Sequence, residues 1–350
     1  MNICIIANTS WYLYNFRKST IIQLLASNYN VTLLCGDSTY KKKLEELGAV
    51  VKVIPFSSNN VNIFTFILQL FNLFRYCTSF EIIFSFTTKI NFMMSILCPL
   101  LRVKWLPNIT GLGSFYSSSF IVSSLLRFSH YFTYKFAVRV FVQNDRDYNL
   151  FVNFSNSHLH KVELLPGSGV SQSVYRFLKI SGDEKFDLCY VSRLVPEKGI
   201  IILYEALKYL KKCGHIFKVV VAGSIPAGRN NRAISRIISI GQELNLFQYV
   251  GEVENSLQTL YDSRCAVFPS FYNEGTPKFL LGAAATGRVI ITTDDPGCCR
   301  AVHPNGGFII TKKSRAALIS SLLEFKNQNL HDIQSMGLNN YHHIYEKFTE

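Results

Sequence analysis

Charge is scarce in this chain, and acidic charge scarcest. Of 350 residues 17% are charged, with 23 Asp and Glu against 36 Lys and Arg. The first 180 residues hold 7 acidic and 17 basic side chains, the remainder 16 and 19. So little charge beside 48% hydrophobic and 14% aromatic residues excludes a disordered chain. Ten Pro against 20 Gly excludes a collagen-like or linker-dominated one. The nine cysteines are odd in number and form no Cys-x-x-Cys pair; adjacent Cys298 and Cys299 suit neither a zinc knuckle nor a disulfide framework, so free thiols are expected. Long apolar runs are missing too. Val61 to Leu73 ends at Arg75, Phe92 to Leu101 contains Pro99, and Phe115 to Phe136 carries Arg127, His130 and Lys135, which fits a helix lying on a surface better than one crossing a membrane. Met1 to Ser10 lacks the basic start of a signal peptide and reads as a first strand.

What is present is a rhythm of short apolar runs and helical segments. Ile3 to Ala7, Val31 to Cys35, Val50 to Ile54, Ile82 to Phe86 and Val138 to Gln143 read as strands, with helices through Ile21 to Leu25 and Lys41 to Leu47. After Leu165-Pro-Gly-Ser-Gly169 and a polar stretch the rhythm restarts, with strands at Phe186 to Val191, near Phe217 to Ala222, at Gln248 to Val250, Ala266 to Pro269 and Val289 to Thr292. Alternating strand and helix implies parallel sheets covered on both faces, here in two α/β domains. Ligands of such sheets bind beyond the carboxyl ends of the strands. The basic first half points to an anionic partner, but it holds neither an aromatic-rich recognition motif nor a basic helix of the nucleic-acid-binding kind.

Two stretches carry chemistry. In Ser192-Arg-Leu-Val-Pro-Glu-Lys-Gly199, Arg193 and Lys198 follow the first strand of the second domain, where two cations across a turn can grip a diphosphate and stabilise a leaving group. Alone, this is also what a solvated basic loop looks like. In Phe271-Tyr-Asn-Glu-Gly-Thr-Pro-Lys-Phe-Leu-Leu281, Thr276 reads as an N-cap and Pro277 as the first helical residue, so a helix start would offer N–H groups to an anion or a hydroxyl. Asp145-Arg-Asp147 looks like a metal site but falls in a loop of the first domain, and the adjacent His342 and His343 have no ligand spacing, so no metal is expected.

Taken in order, Arg193-x4-Lys198-Gly199, Pro269-Ser270-x3-Glu274-Gly275-x-Pro277 and Ala283-Ala284-Ala285-x-Gly287-Arg288 resemble the retaining nucleotide-sugar glycosyltransferases of family 4 over essentially the whole chain. Asn8-Thr-Ser-Trp-Tyr-Leu-Tyr-Asn-Phe-Arg17, Lys89-Ile-Asn91, Asn108-Ile-Thr-Gly-Leu-Gly-Ser-Phe115, Phe141-Val-Gln-Asn144 and Pro166-Gly-Ser-Gly-Val170 are similar to the bacterial enzymes that extend an undecaprenyl-diphosphate-linked glycan, such as N-acetylgalactosaminyltransferases of surface-polysaccharide assembly.

The resemblance implies a GT-B fold, with Rossmann-like doubly wound domains at 1–168 (acceptor side) and 169–335 (nucleotide-sugar side) facing across a cleft, and 336–350 beginning a C-terminal crossing helix. It implies a UDP-sugar donor, an undecaprenyl-diphosphate-linked glycan acceptor for capsule or O-antigen, no cofactor or metal, no nucleic acid, and a peripheral place on an anionic membrane surface at the cytoplasmic face. Arg193, Lys198 and Glu274 would be catalytic. Gly223, Gly275, Thr276, Pro277, Lys278 and Gly282 would line the donor. Asn8, Thr9, Ser10, Arg17, Lys89, Asn91, Gly111, Gly113 and Asn144 would face the acceptor. Three positions depart from the pattern: Gly282 stands where a second glutamate usually grips the nucleotide ribose, Thr88 where a histidine can precede the Lys-x-Asn element, and Arg300 where an acidic residue is common. The first makes a degenerate relative, serving as a membrane-associated partner in polysaccharide assembly, the alternative to an active enzyme. A sugar-nucleotide epimerase of the same fold would need acid/base side chains that the sequence does not display.

Overall fold

A computed structural model describes residues 1–54, 63–111, 120–153, 161–226 and 231–348. The chain divides into two compact units, Met1–Ser168 and Gly169–Glu350.

The first unit is a seven-stranded sheet in the order β3-β2-β1-β4-β5-β6-β7, parallel at every pairing. Its strands are β1 (Asn2–Ile6), β2 (Asn30–Cys35), β3 (Val50–Val53), β4 (Ile82–Phe86), β5 (Lys104–Ile109), β6 (Val140–Val142) and β7 (Val162–Leu164). Helices α1 (Ser10–Ala26), α2 (Lys41–Glu45), α3 (Ile63–Cys77), α4 (Thr88–Leu97), α5 (Phe120–Phe136) and α6 (Asp145–Val152) connect them. Two apolar clusters pack on the sheet: one includes Ile5, Leu13, Ile21 and Leu33, the other Ile83, Met93, Met94 and Trp105.

The second unit has six parallel strands in the order β10-β9-β8-β11-β12-β13. These are β8 (Phe186–Val191), β9 (Val219–Ala222), β10 (Gln248–Tyr249), β11 (Ser263–Phe268), β12 (Val289–Thr293) and β13 (Gly307–Ile310). Its helices are α7 (Ile200–Lys212), α8 (Asn231–Glu243), α9 (Leu257–Tyr261), α10 (Lys278–Ala285), α11 (Pro296–Cys299), α12 (Arg315–Asn327) and α13 (Leu330–Lys347). The central strands are apolar on both faces, as a sheet covered by helices requires.

One expectation changes. The C-terminal helix does not begin at residue 336: Asn329 caps α13 by accepting from the Asp332 N–H at 2.9 Å, and the helix lies against α10 and β12 of its own unit. At Gly337 a Cβ would fall 2.1 Å from the Gly287 carbonyl, so glycine permits that approach. The apolar run at Val61 to Leu73 becomes α3 where it is described. Leu73 and Cys77 of α3 are buried, whereas Phe64, Ile67, Leu68 and Phe71, spaced one helical stripe apart, are 56–78% exposed.

In the first unit a small cavity is lined by Thr88, Asn91, Phe92, Ile109, Thr110, Gly111, Ser129, His130 and Thr133. His130 is 5% exposed, 5.3 Å from the Phe151 ring, and burial pushes its pKa down to about 4. An unfolded histidine titrates near 6.5, so as pH falls from there towards 4 the unfolded chain takes up a proton that the native chain refuses, and stability falls. The loss should be on the order of 3 kcal/mol. Urea unfolding of wild type and His130→Leu at several pH values checks this: the variant should lose most of the pH slope between 6.5 and 4, and an unchanged slope would contradict the assignment.

Candidate functional site

In the second unit the connections from β8 and β11 leave in opposite directions, because β9 and β10 lie on one side and β12 and β13 on the other. Such a switch point leaves a crevice beyond the carboxyl ends of the two strands. Both chemistry-bearing stretches open there. Gly199 has φ +84°, and a Cβ on it would sit 2.1 Å from the Pro269 carbonyl oxygen. The loop after β8 is therefore pressed against the loop after β11. The Phe271 and Tyr272 N–H groups seal that contact by donating to the Glu197 carbonyl at 2.9 and 3.1 Å.

The contact brings Lys198 and Glu274 together from 76 residues apart. The Lys198 ammonium donates to Glu274 Oε1 at 2.5 Å, and Ser270 Oγ donates to the same oxygen at 2.8 Å. The two side chains are only 13% and 9% exposed, so water screens the pair weakly. Lys198 Nζ also lies 4.8 Å from the Tyr272 ring centroid and 5.5 Å from that of Phe268. Below it, the Tyr190 hydroxyl donates to the Lys198 carbonyl at 3.1 Å and accepts from Ser192 Oγ at 2.7 Å. Burial raises the Tyr190 pKa, so it remains a neutral donor. Arg193, at the head of the same loop, is exposed and makes no ion pair among the described residues. The cation beside Glu274 is Lys198.

The helix after Glu274 starts one residue later than expected. Pro277, with φ −63° and ψ 124°, is the N-cap of α10, no side chain caps it, and Thr276 lies outside. Proline has no N–H and its extended ψ keeps it out of the helix, so the first intrahelical bond runs from the Leu281 N–H to the Pro277 carbonyl. The N–H groups of residues 278–280 thus belong to the helix's positive end. Glu274, Gly275 and Thr276 are buried beside α11, where a Cβ on Gly297 would meet the Gly275 carbonyl at 1.6 Å. Gly223, just after β9, has φ +138°, and a Cβ there would strike the Ser192 carbonyl at 1.7 Å.

Gly282 lies inside α10 with its back to Tyr175. A Cβ would meet Tyr175 Cε1 at 2.8 Å and Leu260 Cδ1 at 3.3 Å. Tyr175 is 7% exposed, and the Tyr345 hydroxyl of α13 donates to its carbonyl. The place a glutamate side chain would leave the helix is occupied by an aromatic ring. Sequence reasoning registered Gly282 but not Tyr175; it named Ser270 in the motif without giving it a role, and it passed over Tyr272 although that residue stands inside the quoted stretch.

In the first unit several expected acceptor-side residues are engaged by the protein. Thr9 Oγ1 accepts from the Tyr12 N–H at 3.2 Å and caps α1. Ser10 is fully buried: its N–H donates to Asp37 Oδ2 at 2.9 Å, its hydroxyl donates to Asp37 Oδ1, and it accepts from the Tyr40 N–H at 2.9 Å. Asn91 donates to the Asn108 carbonyl at 2.9 Å and accepts from Ser85 Oγ at 2.6 Å, and the Trp105 indole donates to Ser85 at 2.7 Å. Asn144 caps α6 and exchanges hydrogen bonds with Asp147, the second acid of Asp145-Arg-Asp147. Ser10, Asn91 and Asn144 are thus structural contacts in their own unit. Lys89 is half-buried in the first turn of α4, and burial lowers its pKa. Gly111 has φ +114°, and Gly113 lies outside the described residues. Asn8 follows β1 and Thr87 follows β4, while Arg17 lies on α1 with its guanidinium on the Tyr12 hydroxyl and over the Phe86 ring. Among the described residues no three His, Cys, Asp or Glu side chains gather as a metal site.

A buried cation, a carboxylate and a helix N-terminus at one switch point can bind a diphosphate and sugar hydroxyls together. Residues 173–342 match the family model described as Glycosyl transferases group 1. The chain is 25% identical, over 93% of its length and 90% of the relative's, to the N,N'-diacetylbacillosaminyl-diphospho-undecaprenol alpha-1,3-N-acetylgalactosaminyltransferase of Campylobacter jejuni. Among solved structures, Anabaena HepE in complex with UDP and glucose superposes with a TM-score of 0.79 at 15% identity, covering 100% of this chain and 96% of that one. Sucrose-phosphate synthase from Thermosynechococcus elongatus does so with a TM-score of 0.78 at 15% identity, covering 100% and 95%. The two parallel-sheet units are those of the GT-B fold.

The packing at Gly282 predicts that Gly282→Glu alone lowers thermal stability, by about 1–3 kcal/mol for an overpacked position, and does not tighten UDP binding. Gly282→Glu with Tyr175→Ala should recover part of the stability. Differential scanning fluorimetry with and without UDP measures both, and a single variant as stable as wild type would show that the ring yields freely.

Proposed function

We propose that this chain, a glycosyltransferase whose residues 173–342 match the model described as Glycosyl transferases group 1, moves a hexose or N-acetylhexosamine from a UDP-sugar to a lipid-diphosphate-linked glycan, with retention of configuration, in capsule or O-antigen synthesis. The observation that carries the reading is the meeting of Lys198, Glu274 and the start of α10 at the β8/β11 switch point. The Campylobacter relative, by its name, acts on a diphospho-undecaprenol-linked saccharide, and the Anabaena structure, by its title, holds UDP and glucose.

The chemistry follows from charge. Lys198 exchanges Glu274 for the donor diphosphate, exposed Arg193 adds a second positive charge from the head of the same loop, and Glu274, released, accepts hydrogen bonds from sugar hydroxyls. As the bond between the anomeric carbon and the diphosphate oxygen breaks, negative charge grows on UDP, where these cations lower the barrier. The acceptor oxygen bonds to the same face of the anomeric carbon, and its proton passes to the departing phosphate oxygen. No side chain need act as the base.

Assay of a UDP-sugar panel with a membrane acceptor tests the reading. Lys198→Met and Arg193→Met should each lower kcat/KM by about 10²–10³, the usual scale for removing a charge stabiliser. Full activity in either variant contradicts that residue's role, and an inverted anomeric centre in the product, read by NMR, contradicts retention.

The same reading places the enzyme peripherally on an anionic membrane surface at the cytoplasmic face. Among the described residues no helix is long and apolar enough to cross a membrane. The exposed stripe of Phe64, Ile67, Leu68 and Phe71 on α3, with exposed Leu125, Phe128 and Tyr131 on α5, lies in the more basic part of the chain and supports a helix face seated in lipid headgroups. Arg127 on α5 is exposed, whereas Arg139 already pairs with Glu163. Replacing Phe64, Ile67 and Phe71 together by Ser should reduce co-flotation with phosphatidylglycerol vesicles several-fold; flotation equal to wild type would remove the membrane assignment.

A further inference from the structure

Tyr190 is a phenol at a position where a plain phenyl ring would fill the same space. It stands near the carboxyl end of β8, fully buried, with its ring 6.3 Å from that of Phe268. A buried hydroxyl costs free energy unless it is hydrogen-bonded. This hydroxyl donates to the Lys198 carbonyl at 3.1 Å and accepts from Ser192 Oγ at 2.7 Å. Ser192 Oγ also lies 2.9 Å from the Arg193 carbonyl, so the two hydroxyls join the backbone of Arg193 to that of Lys198.

The carbonyl that the phenol holds belongs to a peptide that turns easily. Pro196–Lys198 form a short 3-10 turn, closed by the Gly199 N–H on the Pro196 carbonyl at 2.9 Å, and Gly199 has φ +84°. Glycine takes either sign of φ at little cost, so a second orientation of the Lys198–Gly199 plane is open to the backbone. In that orientation the Gly199 N–H leaves Pro196 and the turn opens. Helix α7 does not prevent it, because its first bond runs from the Leu203 N–H to the Gly199 carbonyl, one residue further on. The Tyr190 hydroxyl ties the Lys198 carbonyl to a central strand of the sheet. The ammonium that this turn presents meets Glu274 at 2.5 Å, and a long flexible side chain keeps such a place only when its backbone is fixed.

We infer that Tyr190 is a positioning residue for the transfer reaction: its hydroxyl fixes the Lys198–Gly199 peptide and, through it, the place of the Lys198 ammonium beside Glu274 and an incoming diphosphate. The inference rests on the proposed transferase reading, from which the diphosphate comes. Tyr190 is buried beneath the loop and acts through its backbone alone, without touching substrate. Ser192 has a supporting part. By donating to the phenol oxygen it leaves the phenol's single proton for the Lys198 carbonyl.

Amide hydrogen exchange of the full chain without ligand, and calorimetric titration with UDP, test this in wild type, Tyr190→Phe, Ser192→Ala, Lys198→Met and Tyr190→Phe combined with Lys198→Met. Tyr190→Phe keeps the ring and removes only the hydroxyl. The Gly199 amide should exchange about tenfold faster in that variant, the scale of one lost hydrogen bond, while the amides of β8 exchange as in wild type. UDP affinity should fall about three- to tenfold in Tyr190→Phe, less in Ser192→Ala, and no further when Tyr190→Phe is added to Lys198→Met. That non-additivity separates positioning from a general loss of stability, which would weaken binding equally in both backgrounds. Equal weakening in both backgrounds, or Gly199 exchange as slow in Tyr190→Phe as in wild type, overturns the role. Exchange needs no ligand, so it decides the matter where Lys198→Met binds UDP too weakly to titrate, and Ser192→Ala, which should also speed Gly199 exchange, decides it if Tyr190→Phe misfolds. A chain that shows the non-additive cycle but transfers no sugar refutes the transferase reading alone, and one that transfers sugar with additive losses refutes the positioning role alone.

Discussion

Parallel strands oblige each connection to cross over a face of the sheet, and where two neighbouring connections depart in opposite directions the space beyond the strand ends cannot be filled by either. Both units have this constraint at their centre, between β1 and β4 in one and between β8 and β11 in the other. The loops after these four strands carry Asn8, Thr87, Lys198 and Glu274, and no other pair of adjacent strands in either sheet has connections that diverge in this way.

The two crevices are balanced differently. In the second unit Lys198 and Glu274 pair at 2.5 Å, with Ser270 donating to the same carboxylate oxygen, so the cation is compensated from within the chain. A buried ion pair adds little net stability over apolar packing, because desolvation offsets attraction. Its value here is that each partner is held where a ligand needs it, at no more than the cost of the pair. In the first unit the Arg17 guanidinium bonds to a phenol and lies over aromatic faces, and among the described residues no carboxylate pairs with it.

The departure at Gly282 changes meaning once its surroundings are visible. Tyr175 fills the space beside the helix, and Tyr345 from α13 holds the backbone of Tyr175. The absent carboxylate is thus coupled to the docking of the last helix, and it is not a single-site loss that one substitution would reverse.

Much of the architecture was legible in the residues. The apolar runs at Ile82 to Phe86 and Phe186 to Val191 coincide with β4 and β8, since period and β-branched content suffice for central strands. Strands β5, β7 and β13 escaped: β5 carries Lys104 and Pro107, β7 has three residues, and β13 is a partly exposed edge strand, so none shows a clean apolar run. Lys198 and Glu274 could be named from their order and spacing because each stands in a short local stretch. By itself the sequence determined the two α/β units, the parallel sheets and which loops bear charge, all of which depend on neighbours a few residues apart. Only the tertiary structure decided that Lys198 rather than Arg193 faces Glu274, that Asn91 and Asn144 bond within their own unit, that Tyr175 stands behind Gly282, and that Arg17 Nε and Thr87 Oγ1 are buried with no hydrogen-bond partner among the described residues. Burial and the absence of a partner depend on groups distant in sequence, which only the folded chain brings near.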